Sequence, residues 1–98
     1  MATRKATTKA QRYMGIADAC GWTFTWEFDD EPDLSWMTPE ELAEDHEVLG
    51  CVLRDRQGNV LESLWGIVDA DRAYGEEIEA QLAEEATLSI RAALLEAI

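Results

Sequence analysis

The sequence is poor in positive charge. It holds 8 Lys and Arg against 21 Asp and Glu, for a formal net charge of −13. Half of those few cations, Arg4, Lys5, Lys9 and Arg12, fall within the first twelve residues. From Tyr13 onward only Arg54, Arg56, Arg72 and Arg91 oppose all 21 acids. Such a body repels nucleic acid and anionic lipid and is drawn to basic surfaces, so direct nucleic-acid binding by the body is not expected. Cysteine is equally scarce. Cys20 and Cys51 are too few for a disulfide framework and share no C-x-x-C or Cys/His spacing suited to zinc, so both read as buried or half-buried thiols. No apolar run approaches the ~20 residues a membrane helix needs, and MATRKATTKAQR leads into no apolar signal core. The expectation is a cytoplasmic protein that engages no membrane. There is no internal repeat, no linker composition and no low-complexity tract.

What remains is foldable. Apolar residues make up 47% of the chain and charged ones 30%, enough for a packed core. A length of 98 residues allows one core and makes a deep substrate cavity costly to hold open. Residues 1–12 read as a flexible basic tail and residues 13–98 as one acidic domain.

Local patterns set the order of elements. Tyr13, Met14, Ile16, Ala17 and Cys20 recur at helical spacing between Thr8 and the stop signal Gly21. Trp22, Phe24, Trp26 and Phe28 alternate with Thr23, Thr25 and Glu27, the period of a strand with one aromatic face. Leu34 and Trp36 are expected to fold back onto the core. Thr38, Pro39, Glu40 and Glu41 form a helix start with a capping box, and the helix is expected to reach Asp45 or His46. Val48 to Arg54 and Val60 to Val68 read as a hairpin whose turn uses Gly58 or Asn59 at positive φ. A final helix, capped by Asp69 or Asp71, carries an apolar stripe at Tyr74, Ile78, Leu82, Ala86, Ile90 and Leu94. Gly75 weakens it and Thr87 is a place for a bend. The fold class is α+β: a small three-stranded antiparallel sheet with helices, in the order α-β-α-β-β-α. Either the first helix covers the second face of the sheet or that face stays open.

Candidate sites are few. Asp29, Glu31, Asp33 and Glu40 occupy positions 1, 3, 5 and 12 of a calcium-loop window, yet Leu34 stands where that loop turns on glycine and a strand precedes it. The segment therefore reads as a solvated acidic loop, with no metal and no cofactor expected. His46, the one histidine, lies between Asp45 and Glu47, and a general base or metal ligand would need partners that the sequence does not supply. Ser35, Ser63 and Ser89 sit in no nucleophile motif, and Gly58 and Gly66 in no phosphate loop. No catalytic residue is expected, and the chain does not read as an enzyme.

The acidic run is the distinctive feature. Glu27, Asp29, Asp30, Glu31, Asp33, Glu40, Glu41, Glu44, Asp45 and Glu47 follow one another without a lysine or arginine, whereas ordinary surfaces intersperse the two signs. Carboxylates one helical turn apart, such as Glu40 and Glu44, have a spacing comparable with backbone phosphates, and Glu77 with Glu84 and Glu85 is read as a further array of this kind. The ten acids of the run from Glu27 to Glu47, with Trp36 as an aromatic anchor, form the candidate partner-binding set. The expected partner is a basic nucleic-acid-binding protein or complex. The alternative is an oligomerising or adaptor domain, a homodimer among its forms, that uses the sheet aromatics or the apolar end at Leu88, Leu94, Leu95 and Ile98.

Three pieces carry a family resemblance: PDLSW from Pro32, the D-x-x-G-N-V-L-x-S-L hairpin from Asp55, and the G-I-x-D-x-D-R-x-Y stretch from Gly66. Over Pro32 to Ala86 the chain resembles short acidic proteins of phages, plasmids and bacterial genomes. The resemblance implies no activity and no site residues. Mobile elements do carry small acidic inhibitors that occupy the nucleic-acid channels of restriction or CRISPR machinery, and that analogy favours a nucleic-acid mimic.

Overall fold

A computed structural model describes residues 8–32, 34–43 and 46–97. The order is α1 (Lys9–Cys20), β1 (Thr23–Phe28), α2 (Pro39–Leu42), β2 (Val48–Arg54), β3 (Val60–Val68) and α3 (Arg72–Glu96). The three strands form one antiparallel sheet in the order β1-β2-β3, which is the α+β class expected from the sequence. Lys9 and Arg12 belong to α1, so the helix takes up residues that the sequence reading assigned to a tail; Arg4 and Lys5 lie outside the described residues.

Local chemistry explains the boundaries. Thr8 caps α1 in a capping box with Gln11, and Gly21 closes it at φ 71°. Thr38 and Glu41 form the capping box of α2, which ends at Leu42, short of the predicted reach to Asp45 or His46. Asp71 caps α3 by accepting from the Tyr74 amide. Gly58 takes φ 90° in the β2–β3 turn, and its amide returns to the Asp55 carbonyl. The α3 helix runs unbroken through Thr87, whose hydroxyl donates to the Ala83 carbonyl.

The core lies between the sheet and α3. Cys51 and Leu53 of β2 and Ile67 of β3 pack with Ile78, Leu82 and Ala86, while Trp22, Phe24, Trp26 and Leu61 close its edges. Phe28, the last residue of the aromatic face, is 71% exposed. Burial pushes the Cys51 thiol up to about 11, helped by the nearby Glu79 charge, so it is an inert core group. Cys20 is exposed, against the expectation that both thiols are buried or half-buried.

The second face of the sheet is not covered by α1. That helix packs on α3 instead, with Ala17 buried and Lys9 bridging to Glu84 at 2.7 Å. On the second face, β2 places Val48, Gly50 and Val52, all buried. The segment after β1 turns towards this side. Met37 is buried and Leu34 half-buried, whereas Trp36 stays 61% exposed, so Met37 takes the inward place predicted for Trp36.

Candidate functional site

Antiparallel order β1-β2-β3 brings the exit of β1, the start of β2 and the exit of β3 to one end of the sheet. Phe28 pairs with Leu49 and Val48 with Val68. The Asp29 amide donates to the Val48 carbonyl at 2.9 Å and the Asp69 amide to the Glu47 carbonyl at 2.8 Å. Residues far apart in sequence thereby share one rim: Glu27, Asp29, Asp30 and Glu31 from the first strand, Glu47 before the second, and Asp69 and Asp71 after the third. The opposite end holds Arg54 at the close of β2, followed by Asp55 and Arg56 in the turn. Asp55 is occupied locally. Bonds from the Asn59 side chain and amide and from Gln57 hold its carboxyl below the usual range.

His46 ties α2 to this acidic rim. Its Nδ1 lies 2.6 Å from Asp69 Oδ2 and its Nε2 lies 2.6 Å from the Glu41 carbonyl. Both neighbours are acceptors, so a protonated imidazole, with an N–H on each ring nitrogen, satisfies both contacts. The His46 bond, with the Glu47 amide bond to Oδ1 at 3.0 Å, holds the Asp69 carboxyl below its ordinary range. Asp69 adopts φ 50°, a left-handed conformation that aspartate tolerates better than most residues. It is the hub of the rim, and the acidic-run reading missed it because it stands outside Glu27 to Glu47. Its sequence signal was its place at the start of the final helix.

The predicted partner-binding residues distribute as follows. Glu27, Asp29, Asp30, Glu31 and Glu47 lie at the strand ends, and Glu40 and Glu41 on α2, which His46 fastens beside them. Glu41 is partly engaged, since its carboxylate accepts from the Thr38 amide and hydroxyl. Asp33, Glu44 and Asp45 lie outside the described residues. On α3, Glu84 is paired with Lys9 and Glu79 accepts from the Trp26 indole at 3.0 Å. Arg72, at the start of α3, meets Glu76 at 3.3 Å. Among the described residues no group of three or more His, Cys, Asp or Glu is placed to hold a metal ion, and no helix is long and apolar enough to cross a membrane.

An exposed aromatic pair stands next to the rim. Leu49 pairs with Ile67 and Cys51 with Leu64, so Gly50 alone faces both Trp65 and Gly66, which is a β-bulge. Gly66 takes φ 76° in it. The Trp65 ring lies directly on Gly50: a Cβ there would come within 2.0 Å of the ring. Trp65 and Trp36 line a shallow pocket of about 390 Å³ with Asp29, Glu31 and Gly66. The predicted anchor Trp36 therefore shares its pocket with a second exposed tryptophan, Trp65.

Comparison of the chain with protein-family models, with curated proteins and with solved structures gives no match.

Proposed function

We propose that this protein is a non-catalytic binding protein that presents the acidic end of its sheet to the basic surface of a nucleic-acid-handling protein, as a mimic of a phosphate backbone. The observation that carries the reading is the gathering of Glu27, Asp29, Asp30, Glu31, Glu47, Asp69 and Asp71 at one end of a hydrogen-bonded sheet, with Glu40 and Glu41 tied beside them. A fixed array keeps its charges where a groove expects them and loses little freedom on binding. The described cations of this end are accounted for: Arg72 faces Glu76, and His46 is held between Asp69 and Glu41. Within this reading the phage and mobile-element resemblance points to an inhibitor of restriction or CRISPR machinery acting in the cytoplasm.

The test is capture of partners on immobilised protein, eluted by a salt gradient and challenged with duplex DNA. Captured proteins should be basic and nucleic-acid-handling, should elute steeply with salt and should be displaced by DNA. The variant Glu27→Gln/Asp30→Asn/Glu40→Gln/Glu47→Gln should lose most of the capture. Retention of neutral partners by that variant, unaffected by DNA, removes the reading.

A second reading is favoured by a separate observation. Beyond Thr87 every described residue of α3 is exposed, including Leu94 at 64% and Leu95 at 65%. This apolar extension suits self-association or an adaptor role.

A further inference from the structure

We propose that the pocket between Trp36 and Trp65 receives an arginine side chain of the basic partner. The inference rests on the acidic-end reading and narrows it to one seat. Three observations point there.

The first is the construction of the aromatic wall. A tryptophan 46% exposed on a sheet face is held in one orientation by a bulge, by Gly66 at φ 76° and by the absence of a side chain at Gly50. Bulges re-aim side chains beside functional sites, and a rigid exposed tryptophan loses little entropy when something stacks on it. The second is Trp36, which lines the same pocket at 61% exposure and is carried by the same segment as the acids. The third is charge. Asp29 and Glu31 line the pocket, and the Glu31 amide donates to Asp29 Oδ1 at 3.2 Å, which sets the two residues in one turn. No lysine or arginine is among the described residues that line it.

Aromatic faces with carboxylates at the rim match a guanidinium better than an ammonium. The planar group stacks on indole while its edge donates two parallel bonds to a carboxylate. A volume of about 390 Å³ falls within the range of binding pockets, about 300–1,000 Å³, and its shallow form suits a side chain offered from a protein surface.

The experiment titrates the intact chain at low salt with tetra-arginine amide, following the indole N–H signals by NMR, with the tetra-citrulline and tetralysine amides as comparisons. Tetra-arginine should move the Trp36 and Trp65 signals and leave Trp26, whose indole is bonded to Glu79, in place. Binding of the citrulline peptide should be weaker by about tenfold or more, and Asp29→Asn/Glu31→Gln should weaken tetra-arginine by about tenfold. Trp65→Phe keeps a ring over Gly50; at an unchanged unfolding midpoint it should weaken tetra-arginine several-fold. Tetra-arginine binding with unmoved Trp36 and Trp65 indoles, and shifts only at Glu27, Glu47 and Asp69, overturns the pocket and leaves the acidic-end reading standing. Equal shifts with tetralysine overturn the assignment to arginine. Absence of any tetra-arginine binding removes both.

Discussion

Gly50 is the residue on which the exposed aromatic surface depends. A methyl group there would meet the Trp65 ring at 2.0 Å, inside any tolerable contact, so Gly50→Ala must displace either the ring or the strand. The expected cost is about 1–3 kcal/mol, the range of overpacking, read as a lower urea midpoint. In Gly50→Ala/Trp65→Ala the glycine substitution should add little, because the clash is gone; full additivity would show that the ring does not sit there. Asp69 acts through charge instead. Its carboxyl titrates lower in the folded chain than its ordinary 3.8, chiefly through the bond with His46. The stabilisation is therefore complete above the unfolded value and fades as the pH falls below it through the folded value. Asp69→Asn tolerates the same left-handed backbone but cannot titrate. It should unfold at lower urea than the parent at pH 7, and the gap should narrow at pH 3. A gap that is constant with pH would remove the carboxylate from the account.

At the scale of elements, the long helix depends on its first turn. Asp71 accepts from the Tyr74 amide at 2.8 Å, and this turn positions Ile78, which is buried against the sheet. Asp71→Ala should cost about 1 kcal/mol, the usual loss of an N-cap, measured as a lower thermal midpoint with early amide exchange in residues 72–76. Unchanged exchange there would mean that packing alone fixes the helix start. Such caps were legible in the sequence because they are local chemistry: Thr38 with Glu41, Asp71 ahead of α3, and Gly58 in the hairpin turn act within a few residues. The strand bounds of the hairpin were legible for the same reason. What the sequence hid depends on distant pairing. The seating of α1 on α3 follows from which apolar faces meet in space, and nothing in the spacing of Met14, Ala17 and Cys20 distinguishes a helix partner from a sheet. The bulge at Trp65–Gly66 exists only because Gly50 lies opposite. Likewise Met37 displaces Trp36 from the interior through the path of a loop, which periodicity does not encode. Of the candidate site, the acids were visible as a run, while Asp69 and Trp65 join it only through strand register.

The whole molecule is electrically and chemically polar. Carboxylates collect where β1 and β3 end, whereas the far end of α3, from Leu88 to Glu96, carries one cation and one anion, Arg91 and Glu96. Two copies of a chain with net charge −13 repel one another at almost any contact, and the repulsion is least where the surface charge cancels. That same stretch exposes Leu88, Ile90, Leu94 and Leu95. Self-association, where it occurs, is thus directed to the end of the molecule away from the acidic rim, which leaves the rim free for a basic partner in each copy. Sedimentation equilibrium should show a mass above 11.0 kDa that rises with concentration. Because apolar contact drives it and salt screens the opposing charge, the association should strengthen as salt is added. Leu94→Glu/Leu95→Glu should return the mass to that of the monomer without altering capture of basic partners. A monomer at every concentration and salt would confine α3 to its structural role, and a dimer that dissolves in salt would place the contact at the charged end instead.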